Sequence, residues 1–171
     1  MIDRTLNYGR HIIERFAKLI KYYDTVVDIG AGKGDDLMIY KKCNPSCNLI
    51  ALEAYEPNVE ILKSKGIRTY LHNLERDNFP FEDKSIDVIN ANQILEHIKE
   101  IFWVFHEITR TLKIGGYLAL GVSNLASLHN RILLLLGKQP TCIRNYGAHI
   151  RGFTKSDILE FLKGDCSIYS T

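Results

Sequence analysis

At 171 residues, with 46% hydrophobic and 25% charged side chains, the sequence has the size and mixture of one globular domain rather than a disordered tail. A formal net charge of +2 is a mild excess, which argues against a dedicated nucleic-acid binder and neither demands nor excludes an anionic substrate. The start carries Asp3, Arg4, Arg10 and Glu14 without an unbroken apolar stretch, so it does not read as a signal peptide. The longest apolar run, Ile132 to Leu136, is far too short to cross a bilayer.

Short β-rich runs alternate with helical patterns, which predicts an α/β fold around a mostly parallel sheet. A first helix is expected from Tyr8 to Lys21, with a broad apolar face of Ile12, Ile13, Phe16, Ala17, Leu19 and Ile20. Thr25 to Ile29 reads as a buried strand, broken by Gly30-Ala31-Gly32-Lys33-Gly34, after which Asp35 to Lys42 is helical. Leu49 to Glu53 is the second strand. Pro57 suits the first turn of a helix running to Lys65, and Gly66 ends it. A third strand covers Ile67 to Leu71, a turn region Asn78 to Lys84, and a fourth strand Ile86 to Ala91. The helix from His97 to Leu112 repeats Ile98, Ile101, Phe102, Phe105, Ile108 and Leu112 at helical spacing. Gly115-Gly116 should stop it before a fifth strand, Tyr117 to Val122. An amphipathic helix follows at Leu125 to Leu136, then a long loop from Gly137 to Phe153. Thr154-Lys155-Ser156-Asp157 resembles a capping box opening a last helix, Ser156 to Lys163, and Ser167-Ile168-Tyr169 is a candidate sixth strand.

The strongest chemical signal is Val27-Asp28-Ile29-Gly30-Ala31-Gly32-Lys33-Gly34. Glycines let a ligand approach the backbone with no Cβ in the way, and the following helix aims free N–H groups at it. A dinucleotide site wants G-x-G-x-x-G, but Asp35 stands where the third glycine belongs. Asp28, two residues before the first glycine, would repel a pyrophosphate yet pair with a ligand's ammonium group. Glu53, ending the second strand, can accept both hydroxyls of a ribose. The phosphate-loop pattern G-x-x-x-x-G-K-[ST] is absent, because Gly34 follows Lys33.

At these residues the chain resembles the class I S-adenosylmethionine-dependent methyltransferases. DIGAGKG at 28–34, LIALEAYEPNVEIL at 49–62, FPFEDKSIDVINANQILEHI at 79–98 and LKIGGYLAL at 112–120 follow in that family's order. The resemblance implies a Rossmann-like doubly wound sheet in a three-layer α/β/α sandwich. It implies S-adenosyl-L-methionine as cofactor, held by Asp28, Gly30, Ala31, Gly32, Gly34, Glu53, Ala54, Asn73, Leu74 and Asn92. Asn73 stands where the family usually has an aspartate for the adenine amino group, and an amide oxygen can still accept there. The family's sheet closes with an antiparallel hairpin, of which only the first strand fits the sequence. The whole chain is expected to be a single domain, with a cofactor-binding core at 1–122 and an acceptor-site helix and lid loop at 123–153.

The expected activity is methyl transfer to a small or anionic acceptor, with a catalytically inactive binding or scaffold module as the alternative and an NAD-dependent oxidoreductase as a third reading. A hydroxyl acceptor needs a base, for which His149 and His97 are the candidates, although His97 reads more readily as part of a charged helix start. The loop gathers Arg144, His149 and Arg151, which either grip an anionic acceptor (Arg144 and Arg151) or form a solvated basic surface. Cys43, Cys47, Cys142 and Cys166 lack metal-site spacing, so no metal is expected and they read as reduced thiols of a cytoplasmic protein. Leu133 to Leu136 should pack in the core, with a homodimer face as the other reading.

Overall fold

Strand β1 (Thr25–Ile29) has Val26 in one hydrophobic cluster and Val27 in another, which is why it reads as an unbroken apolar run. The structure, a computed structural model, describes residues 9–143 and 147–168, and falls into two compact units, Met1–Gly121 and Val122–Thr171.

In the first unit β1 pairs in parallel with β2 (Asn48–Glu53) and β4 (Ile86–Asn92), β2 with β3 (Arg68–Leu71), and β4 with β5 (Leu112–Gly121). The order β3-β2-β1-β4-β5 makes an all-parallel five-stranded sheet. Helices α1 (Arg10–Leu19), α2 (Asp35–Cys43) and α3 (Glu56–Ser64) cover one face through Ile13, Ala17, Leu37, Tyr40 and Leu62. Helix α4 (Ile101–Thr111) covers the other through Val104 and Ile108. This is the expected three-layer, Rossmann-like arrangement. The order reverses between β1 and β4, and in such sheets the crevice at the strands' carboxyl ends is where ligands bind.

A latch fixes the loop after β3 onto α4. The buried Glu107 carboxylate accepts from the Phe79 N–H at 2.7 Å and from Arg110 Nη2 at 2.6 Å. Arg110 then donates to the carbonyls of Phe81 and Phe79, at 2.9 and 3.1 Å, and to Asp83 at 2.8 Å.

The second unit contains α5 (Leu128–Leu135) and α6 (Lys155–Ile168). Ser127 caps α5, its hydroxyl accepting from the Asn130 N–H. The capping box at Thr154 is reciprocal: its N–H donates to Asp157 at 2.9 Å and its hydroxyl accepts from the Asp157 N–H at 3.2 Å.

Several expectations need correction. Helix α1 is shorter, with Gly9 at positive φ before it, and Ile12 and Leu19 face solvent; Tyr8 lies outside the described residues. His97 is not helical in α4: Leu95–His97 forms a 3-10 turn, and α4 starts only at Ile101. Helix α4 gives way directly to β5 at Leu112, so Gly115 and Gly116 lie within the strand, beside a register shift against β4. Helix α6 runs on through Ser167 and Ile168, which removes the sixth strand there; Tyr169 lies outside the described residues. Leu134, Leu135 and Leu136 are exposed rather than core. Cys43, Cys47 and Cys142 are free thiols.

Candidate functional site

The carboxyl ends of β1 and β4 converge on a small cavity, about 170 Å³, lined by Arg10, Asp28, Gly30, Ala31, Gly32, Lys33, Asp35, Asp36, Asn92 and Gln93. Asp28 lies opposite Asn90 in the β1–β4 register, and Asn90 Nδ2 donates to its carboxylate at 2.8 Å. Asp36, in the first turn of α2, accepts from Asn92 Nδ2 at 2.8 Å and from Arg10 Nε at 2.9 Å. Arg10 also reaches Asp35 at 3.1 Å. Burial pushes the Asp28 carboxyl well above the ordinary range; the Asn90 bond opposes this and the charges of Asp36 and Glu53 add to it. The cavity thus sets three acids, Asp28, Asp35 and Asp36, against two cations, Arg10 and Lys33, with Asp28 bonded to an amide rather than to a cation, which leaves room for a cationic ligand group.

The glycines divide by role. Gly30, at φ +71°, lies against Ile94, whose Cδ1 would be 2.5 Å from an added Cβ. Gly32, at φ +54°, has nothing within 4 Å of that position, so its bare backbone opens onto space a ligand can use. Gly34 lies outside both cavities and packs against Leu62 at the start of α2.

Glu53 joins this cavity to a second one. Its carboxylate accepts from the Gly32 N–H at 2.7 Å and from the Tyr55 N–H at 2.9 Å. Tyr55 lines a larger cavity, about 590 Å³, with Ala54, Glu56, Pro57, Leu71, His72, Asn73 and Asp77. Here Asn73 Oδ1 is taken by the Glu75 N–H at 3.0 Å, while the Asn73 N–H donates to Asp77 Oδ2 at 3.0 Å. His72 is buried with Nε2 lacking a hydrogen-bond partner, and burial lowers its pKa, which favours the neutral ring. Leu74 is buried in the core cluster under β1 and β4 rather than lining a cavity.

The structure therefore gathers Asp28, Gly30, Ala31, Gly32 and Asn92 on one cavity and Ala54 and Asn73 on the other, with Glu53 between. His97 is exposed and lines neither cavity. His149 and Arg151 belong to the second unit, and Arg144 lies outside the described residues. The His149 Nδ1 sits 2.8 Å from the Cys142 carbonyl, which can only accept; Nδ1 carries the proton and Nε2 is the basic nitrogen of the neutral ring. Sequence reasoning missed Arg10, Asp36, Asn90 and Asp77. A buried strand carrying asparagines, Asn90 and Asn92, was the available signal for two of these contacts. Among the described residues no group of three or more His, Cys, Asp or Glu is placed to hold a metal ion.

The donor set fits a nucleoside with a cationic tail and disfavours a pyrophosphate. Asp28, Asp35 and Asp36 stand where a phosphate would need the helix N-terminus, and Gly32 provides the bare approach.

A family model described as "Methyltransferase domain" matches residues 3–164. A malonyl-[acyl-carrier protein] O-methyltransferase of Marinomonas sp. is 24% identical over 135 residues, covering 74% of this chain and 48% of its own length. The chain spans about half the length of the curated relatives it matches. A SAM-dependent methyltransferase from Archaeoglobus fulgidus superposes with a TM-score of 0.71 at 16% identity, covering 92% of this chain and 66% of that one. The plantazolicin methyltransferase BpumL, solved with a pentazolic desmethylPZN analog and SAH, gives 0.74 at 14% identity, covering 98% and 67%.

Proposed function

The chain belongs to the methyltransferase-domain family, and from that premise we propose that it binds S-adenosylmethionine and transfers its methyl group to a small or anionic acceptor. The observation that carries this reading is the buried, under-compensated Asp28 beside the open backbone of Gly32.

Asp28 and Asp36 would hold the ammonium of the methionine tail, and Arg10, the guanidinium of the same cavity, its carboxylate. Each Glu53 oxygen spends one lone pair on a backbone N–H and keeps another for the ribose hydroxyls. Asp77 would take the adenine amino group together with Asn73, because both line the larger cavity and each accepts one backbone N–H while keeping acceptor capacity. When bound, the cofactor supplies a methyl group already activated on sulfonium, so the protein's main task is positioning. For a hydroxyl acceptor His149 Nε2 is the proposed base, with Arg151 on the acceptor's negative charge; a carboxylate acceptor needs no base. An anionic acceptor is supported by the Marinomonas relative, named for O-methylation of a malonyl group.

Calorimetry with S-adenosylhomocysteine tests the reading. Binding well below 1 mM is expected; no binding at about 1 mM, where affinity is only about −4.1 kcal/mol, would replace it with the scaffold alternative. Radiolabelled methyl transfer to a panel of carboxylate and hydroxyl acceptors then tests the acceptor class.

A further inference from the structure

Helix α5 inverts the usual burial pattern. Its buried side chain is an asparagine, Asn130, 2% exposed. Asn130 Nδ2 donates to the Asn124 carbonyl at 3.1 Å and to Cys142 Sγ at 3.2 Å, while Oδ1 accepts from the Thr141 N–H and hydroxyl, both at 3.1 Å. These bonds tie the helix to the chain before and after it. The apolar side chains are turned out: Leu128 is 74% exposed and Leu135 86%, with Ile132, Leu134 and Leu136 exposed as well. Leu128, Ile132 and Leu135 stand at i, i+4 and i+7 and so share one face. Arg131, exposed, flanks that face, and Lys138, also exposed, follows just after the helix.

The sequence on either side of this helix is basic. Between Glu107 and Asp157 it has no acidic residue, whereas Arg131, Lys138, Arg144, Arg151 and Lys155 all fall in the part belonging to the second unit, whose acids Asp157, Glu160 and Asp165 come only in α6. Protein interfaces draw their energy from Trp, Tyr and Arg, with Leu under-represented. Leucines beside arginine and lysine, with no acid within the helix or its flanking sequence, are instead the composition of a helix lying at an anionic bilayer surface. No helix among the described residues is long and apolar enough to cross a membrane, so the contact would be peripheral.

We propose that α5 lays its leucine face into the surface of an anionic lipid membrane, with Arg131 and Lys138 on the headgroups. The exposed hydrocarbon supplies the insertion and the cations select the lipid charge. Neither α5 nor Lys138 lines either cavity, so cofactor binding and membrane binding can be measured separately.

The test is co-sedimentation of the full chain with phosphatidylglycerol–phosphatidylcholine vesicles and with pure phosphatidylcholine vesicles. Binding to the anionic vesicles is expected to be roughly tenfold stronger and to weaken as salt is raised. Leu135→Asp should abolish it, and the pair Arg131→Glu, Lys138→Glu should reduce it to the neutral-lipid level. All these side chains are exposed, so circular dichroism melts of the variants should match the parent and exclude misfolding. Equal binding to neutral vesicles, or none to anionic ones, overturns the proposal. So does a dimer in light scattering that Leu135→Asp dissociates while the parent ignores vesicles, because the face then belongs to a second copy.

Discussion

Asp28 carries two opposed consequences. Its carboxyl is raised by burial, so the protonated form stabilises the ligand-free fold; that contribution is complete below the ordinary carboxylate range and is lost as pH rises through the raised value. Asp28→Asn removes this penalty and keeps an acceptor for Asn90, so the apo protein should gain about 1 kcal/mol, roughly 2–4 °C in Tm, by calorimetry. The same change should weaken S-adenosylhomocysteine binding by about 1.5–3 kcal/mol, roughly 10- to 150-fold, because a charge-assisted bond is lost. A cationic ligand favours ionised Asp28, so binding should tighten as pH rises toward the raised pKa. Binding should also release a proton, seen as a heat that depends on the buffer's ionisation enthalpy. No buffer dependence would mean that Asp28 does not face the ammonium. Asp28 and Glu53 were legible because a carboxylate at a buried strand end needs a partner. Asp77 was not, because only the turn that engages Asn73 Oδ1 brings its carboxylate to the cavity. If Asp77 reads the adenine amino group, Asp77→Asn, which gains an N–H donor, should narrow the preference for S-adenosylhomocysteine over its inosine counterpart by about tenfold, whereas an unchanged preference would leave the adenine to Asn73.

At the scale of elements, the Glu107–Arg110 latch ties the loop bordering the larger cavity to α4. The Arg110 bond holds the Glu107 carboxyl below its ordinary value, with the Phe79 N–H adding to the effect. Its stabilisation is present above the ordinary carboxylate range and disappears as pH falls through the lowered value. Arg110→Ala leaves a buried carboxylate with the Phe79 N–H as its remaining strong donor, and should cost about 2–3 kcal/mol in denaturant melts. Amide exchange should rise from Asn78 to Phe81, around the two carbonyls, Phe79 and Phe81, that Arg110 holds; unchanged exchange there would reduce the latch to a surface ornament. The strands were readable because a parallel sheet demands continuous apolar runs. The start of α4 was not, since Ile98 is buried and fits the helical period while lying outside the helix. The direct passage from α4 into β5 was equally hidden, because Gly115-Gly116 is a breaker pattern whether it ends a helix or bends a strand.

For the whole molecule, the two units divide the proposed work. Every residue lining the two cavities, and Glu53 between them, belongs to Met1–Gly121, while His149 and Arg151 belong to Val122–Thr171. The first unit was the legible one, because a cofactor shared by many enzymes imposes a recurring chemistry on strand ends and glycine turns. The second carries the residues proposed for the acceptor, which no motif encodes, and its helix α5 defeated the rule that leucines go inside. Cofactor affinity and acceptor turnover should therefore separate by mutation. His149→Gln and Arg151→Ala should leave S-adenosylhomocysteine affinity within about threefold, since neither is among the residues lining the cavities. His149→Gln should lower kcat for a hydroxyl acceptor by about 100-fold or more, the usual contribution of a general base, and spare a carboxylate acceptor. Arg151→Ala should act mainly on KM for an anionic one. Parallel losses of cofactor affinity in both variants would show that the second unit takes part in holding the nucleoside, and the division of labour would fail at its first premise.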